Sequence, residues 1–138
     1  MKKINPFTSV PKVLVIITIV VLGFQSPTPA AAKPNSKFGG VQVGAITYSY
    51  RSMPDQSVPA ILNYIVQSGL SSVELMGQPV EQFAGIPQTR DAQALRAWRT
   101  SVPMDKFKEI RKMFRKKGVK IDILKLGDPK WSDEEIDY

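Results

Sequence analysis

The chain has 138 residues, with 19 Lys or Arg against 12 Asp or Glu, and neither histidine nor cysteine. These counts exclude disulfides, thiolate or imidazole metal ligands, and any Ser-His or Cys-His nucleophile built from this chain. The length suits one domain with one core.

The first element is an export signal. Lys2, Lys3 and Lys12 precede an uncharged run, Val13 to Phe24 (VLVIITIVVLGF). That run suits a signal peptide but falls short of the roughly 20 apolar residues of a membrane span. Pro27 and Pro29 break it, and Ala30-Ala31-Ala32 supplies the small residues read by a signal peptidase. Cleavage is expected after Ala32, the alternative being an uncleaved anchor. The destination is exported and bacterial, either periplasmic or extracellular, with no stable membrane span once the signal is removed. The signal 1–32 carries three basic residues and no acidic one, so 16 basic and 12 acidic residues remain after it.

Residues 33–40 (KPNSKFGG) read as a flexible linker. A first strand is expected near 41–48 (VQVGAITY), ending at a turn around Arg51 to Asp55. Ser57 is a helix N-cap with Pro59 in the first turn. Val58, Ile61, Leu62, Ile65 and Val66 then give a helix over 57–68 one buried face. Gly69 closes it in the left-handed conformation, Leu70 packs back on it, and 72–76 (SVELM) is the second strand. The same order of helix end, glycine, apolar residue and strand recurs. Met104, Phe107, Ile110 and Phe114 mark the apolar face of a basic helix over 103–117, Gly118 ends it, and 120–126 (KIDILKL) is the third strand. Strands alternating with helices point to βαβ units and a parallel sheet, an α/β fold.

The insertion 77–102 is too long for an ordinary βα loop. It is expected to hold short helices near 79–84 and 91–99, either as a ligand-binding flap above the strand ends or as a structural one. At the far end, Ser132-Asp133-Glu134-Glu135 is a capping box that starts a further helix at 133. The third strand then lacks cover on one face, whereas parallel strands are usually buried on both. The chain is therefore read as the amino-terminal part of a longer barrel or sheet, the alternative being a small three-stranded domain, with an open edge as a route to self-association.

At the carboxyl ends of the first two strands lie Tyr48, Tyr50, Arg51, Glu74 and Met76. Arg51 could clamp an anion with its planar fork, Tyr48 or Tyr50 could stack on a sugar ring, and Glu74 could accept sugar hydroxyls. The plain alternatives are a packed tyrosine, an Arg51–Asp55 pair, and a Glu74 satisfied by its neighbouring strand. For a metal, only scattered carboxylates such as Glu74, Asp122 and Asp128 remain, which make a poor ligand set. No catalytic residue and no metal ligand are assigned. Eight Lys or Arg between Lys106 and Lys120 read as a solvated outer helix face rather than a nucleic-acid site.

FGGVQVGAITYSYRSMPDQS, SSVELMGQPVEQFAG, LRAWRTSVPMDKFKEIRKMF, GVKIDILKLG and WSDEEIDY together resemble exported bacterial members of the sugar phosphate isomerase/epimerase family, in the xylose isomerase-like TIM barrel superfamily. The resemblance spans residues 38–138 and weakens after Lys125. It implies the first three βα units of a (β/α)8 barrel and an isomerase or epimerase acting on a sugar or sugar derivative. It also implies a divalent metal such as Mg or Mn, held on later strands by Glu, Asp and His and thus not by this chain. The alternative is a non-catalytic truncated product or a carbohydrate- or partner-binding module.

Overall fold

The computed structural model describes residues 32–137, so nearly all of the expected export signal lies outside the described residues. The described part is α/β, with a parallel three-stranded sheet and five α-helices.

The stretch read as a linker is folded. Lys37–Phe38 (β1) and Val41–Gln42 (β2) pair as an antiparallel hairpin. Gly39 and Gly40 form its turn with φ of 54° and 88°, a left-handed pair that glycine adopts without Cβ strain. Ser36, only 1 % exposed, anchors the hairpin. Its hydroxyl accepts from the Ser71 N–H at 2.8 Å, and its own N–H donates to Ser71 Oγ at 3.0 Å. A polar sequence concealed this, because hydroxyl–backbone bonds rather than apolar burial hold it in place.

The expected strand 41–48 divides into β2 and Ala45–Ile46 (β3), followed by a 3-10 turn over Thr47–Tyr50. Gly44 lies between the two strands, against the backbone of Ser72: a Cβ there would sit 2.8 Å from the Ser72 carbonyl oxygen. Thr47 is buried, and its Oγ1 accepts from the Met76 N–H at 3.0 Å. That side-chain bond ties the ends of adjacent strands together, and the turn begins there.

Helix α1, Val58–Gln67, is capped by Ser57, whose hydroxyl accepts from the Ala60 N–H at 3.4 Å. Gly69 (φ 72°) ends it, and Leu70 N–H donates back to Ile65 O at 3.1 Å. β4, Ser72–Met76, passes directly into α2, Gly77–Ala84, two residues earlier than the sequence suggests. The break is tight because a Cβ on Gly77 would meet Lys125 O at 2.8 Å. α3, Ala92–Arg99, is capped by Asp91, which accepts from the Gln93 N–H at 2.9 Å. α4, Asp105–Lys116, leads to β5, Lys120–Lys125, and α5 is Asp133–Ile136.

The sheet order is β3-β4-β5, all parallel. Ile61 and Ile65 of α1, Val73 and Leu75 of β4, Ile110 and Phe114 of α4, and Val119 form the core, each 2 % exposed or less. The register of β4 on β5 slips once: Val73 pairs with Ile121 and Glu74 with Ile123, so Asp122 is the extra residue of a β-bulge. This slip corrects the phase of the strand. Strict alternation would put Ile121 and Leu124 on opposite faces, yet both line the same groove beside α4. Ile123 and Leu124 remain 54 % and 44 % exposed.

Candidate functional site

Because β3, β4 and β5 run parallel, their carboxyl ends share one end of the sheet, the place where open α/β sheets and barrels receive ligands. The 3-10 turn after β3 carries Tyr48 and Arg51 there. The turn needs no side-chain cap, since Arg51 N–H donates to Tyr48 O at 3.1 Å.

Tyr48 and Arg51 form one unit. The Arg51 guanidinium lies 4.7 Å from the centroid of the Tyr48 ring, and its Nη1 donates to Tyr48 O at 3.3 Å. Both side chains are on the surface, and Tyr48 is 56 % exposed. The Arg51–Asp55 alternative does not form: Asp55 accepts instead from the Ser57 N–H at 2.8 Å. That backbone bond, with help from the Ser57 hydroxyl, holds the Asp55 carboxyl below its usual pKa. Tyr50 turns away to α1, where its hydroxyl lies 3.2 Å from Ser68 Oγ and its ring is 5.9 Å from that of Tyr64.

Glu74 sits in the middle strand, between Ile46 of β3 and Ile123 of β5 in the register. Its side chain alternates away from the buried Val73 and Leu75, onto the face opposite the helices. It is half-buried, and among the described residues no hydrogen bond or ion pair reaches its carboxylate. The structure thus brings Tyr48 and Arg51 together and leaves Glu74 separate, with no bond to either.

The other carboxylates do not converge. Asp122 accepts from the Lys120 ammonium and then from the Ser72 hydroxyl, which lower its pKa and clamp the bulge. Asp128 accepts from the Lys130 N–H at 2.9 Å in a turn. Among the described residues no three His, Cys, Asp or Glu side chains come together as a metal site. Glu74, Asp122 and Asp128 therefore do not form a divalent-metal site among the described residues.

A second polar centre escaped the sequence. Arg99 of α3 donates from Nε to Glu81 of α2 at 2.8 Å and from Nη1 to Glu135 of α5 at 3.1 Å. The three side chains are only 10 %, 12 % and 9 % exposed. The guanidinium lies 4.1 Å from the centroid of the Trp131 ring. Burial opposes the Arg99 charge, but the hydrogen bonds and charges of Glu81 and Glu135 outweigh it and raise the pKa. Bidentate use of a planar guanidinium by two carboxylates is a structural device here, since it joins three helices. The only sequence signal was that Glu81, Arg99 and Glu135 are charges on short amphipathic helices, where solvent is the default partner.

No family model, no curated protein and no solved structure matches the chain.

Proposed function

We propose that this chain is the opening three-stranded portion of a (β/α)8 barrel of the isomerase/epimerase type, exported from a bacterial cell, and that its strand ends bind a sugar or sugar derivative. The observation that carries the reading is the stacked Tyr48–Arg51 plate on the turn at the carboxyl end of β3; Glu74, on the neighbouring strand β4, has no hydrogen bond or ion pair among the described residues and stands separate from that plate. The fold supports it through sheet order that follows chain order, as in a barrel. In this reading Tyr48 offers a ring face for the apolar side of a sugar. Arg51 offers donors to hydroxyl, carboxylate or phosphate oxygens, and Glu74 accepts from hydroxyls. These are binding roles. Isomerisation would also need a base and a means of polarising a carbonyl, which the described residues do not assemble.

The test is an NMR titration of the chain with an aldose, a ketose and their phosphates. Saturable shifts should centre on Tyr48, Arg51 and Glu74. Glu74→Gln and Arg51→Ala should each weaken binding about tenfold, a loss of about 1.4 kcal/mol. A preference for the phosphates that vanishes in Arg51→Ala would place the anion on Arg51. No saturable shift with any of the four, or shifts that survive both substitutions, would overturn the reading.

A further inference from the structure

We infer that the groove between α4 and β5 is a self-association surface, whose occupant is the acidic α5 region of a second copy of this chain. The inference stands apart from sugar binding, concerns a different face of the sheet and is made for residues 1–138 by themselves, since a further βα unit of a longer barrel would cover the same groove.

The groove measures about 810 Å³ and is floored by core side chains such as Leu75, Ile110 and Phe114. Its wall includes Leu124 and Met104, which are 44 % and 41 % exposed. Lys108, Arg111 and Arg115 rim it, and no carboxylate lines it among the described residues. Lys120 also lines it; Lys120 is paired with Asp122 and Lys108 with Asp105, which leaves Arg111 and Arg115 as the rim cations with no ion pair among the described residues. β5 bounds it, and β5 has β4 on one side and no strand on the other among the described residues. An apolar floor inside a cationic rim asks for an apolar group surrounded by anions.

The same chain presents that group. Ile136 of α5 is 60 % exposed, and Asp133, Glu134 and Asp137 surround it in sequence. All three acids are exposed. Glu135 is turned inward to Arg99 and Glu134 is ion-paired with Arg96 at 2.9 Å, so among the described residues the outward groups of this region left without a cation are Ile136, Asp133 and Asp137. The two patches adjoin. Met104 lines both the groove and the recess that Glu134 and Asp137 line. Two complementary patches side by side on one surface are what a two-fold axis requires, each filling the other's counterpart on the second copy. The contact is small and rimmed by charge, so its affinity falls in the weak class and depends on salt.

Sedimentation equilibrium of the full chain tests this through a charge swap. Arg111→Glu with Arg115→Glu, and separately Asp133→Lys with Asp137→Lys, should each weaken association about tenfold or more. An equimolar mixture of the two double variants should restore it, because each groove then meets an opposite charge. Ile136→Ser keeps every charge and should also weaken association about tenfold. Circular dichroism establishes that each variant is folded, and a charge-reversed pair that fails to fold leaves Ile136→Ser to decide. Overturning results are a monomer at every concentration, association indifferent to these changes, or a mixture that fails to reassociate. Binding to anionic vesicles through Arg111 and Arg115 without self-association would give the groove to a lipid surface instead, and would equally overturn the inference.

Discussion

Gly44 shows how much one hydrogen atom in place of a methyl can decide. Its Cα faces the Ser72 backbone, and a Cβ would sit 2.8 Å from both the carbonyl oxygen and Oγ of Ser72. Backbone cannot swing aside as a side-chain tip can. Gly44→Ala should therefore destabilise the chain by about 1–3 kcal/mol, read as a lower urea midpoint with an unchanged slope. An unchanged midpoint would mean that β3 shifts freely against β4. At the same scale, Phe114 fills the centre of the core and is 0 % exposed. Phe114→Ala should cost about 3–5 kcal/mol, enough to unfold a domain of marginal stability, and thermal unfolding followed by circular dichroism checks it. Tyr48 and Arg51 follow the end of β3, close to where the local pattern puts it, whereas Glu74, expected near a strand end, is the central residue of β4. Their mutual placement was not legible, since it depends on a 3-10 turn in place of continued strand and on the register of β3 against β4.

Among elements, the junction of α2, α3 and α5 is held by charge rather than by apolar area. Removing Arg99 leaves Glu81 and Glu135 facing each other in a shielded recess. Arg99→Met should cost about 3 kcal/mol despite keeping most of the side-chain volume, seen as a lower thermal midpoint. A near-neutral result would mean that water reaches both carboxylates. The pH dependence follows from Glu135. The Ser132 N–H, and then the Arg99 guanidinium, hold its pKa below the ordinary 4.5. A carboxyl with a depressed pKa contributes stability above its unfolded value. That contribution is lost as pH falls from about 4.5 through the folded value. The protection factors of the α5 amides, corrected for the intrinsic exchange rate at each pH, should accordingly fall below pH 4.5, before those of the α1–β4 core. Simultaneous exchange of both would show that α5 is no separate unit. The helix stops were the clearest reading at this scale. The glycine–apolar ending recurs at Gly69-Leu70 and Gly118-Val119 as expected, and also at Gly85-Ile86, where Ile86 N–H donates to Glu81 O at 3.0 Å. The third copy was missed because no strand follows it.

For the molecule as a whole, the governing fact is a three-stranded parallel sheet with helices packed on one side. Val73 and Leu75 are covered by α1 and α4, while Ile123 is half exposed. No helix among the described residues is long and apolar enough to cross a membrane. The basic face of α4 is partly internally paired, with Lys106 to Glu109 at 2.9 Å and Lys108 to Asp105 at 3.6 Å. These pairs are exposed and contribute little. Self-association through the groove should therefore strengthen at low ionic strength and weaken as the Debye length shrinks, whereas purely apolar association would hold or strengthen with salt.

By itself the sequence determined the alternation of strands and helices, the parallel character of the sheet and the glycine stops. These depend on contacts within a few residues and on hydrophobic period. The tertiary structure alone decided the Asp122 bulge, the burial of Ser36 and Thr47, the hairpin inside the supposed linker and the Glu81–Arg99–Glu135 junction. All but the hairpin join residues distant in the chain, and the hairpin is anchored to a distant residue, Ser71, through Ser36. Polar bonds leave no periodic mark in a sequence, since a serine or glutamate reads alike whether its partner is water or another helix.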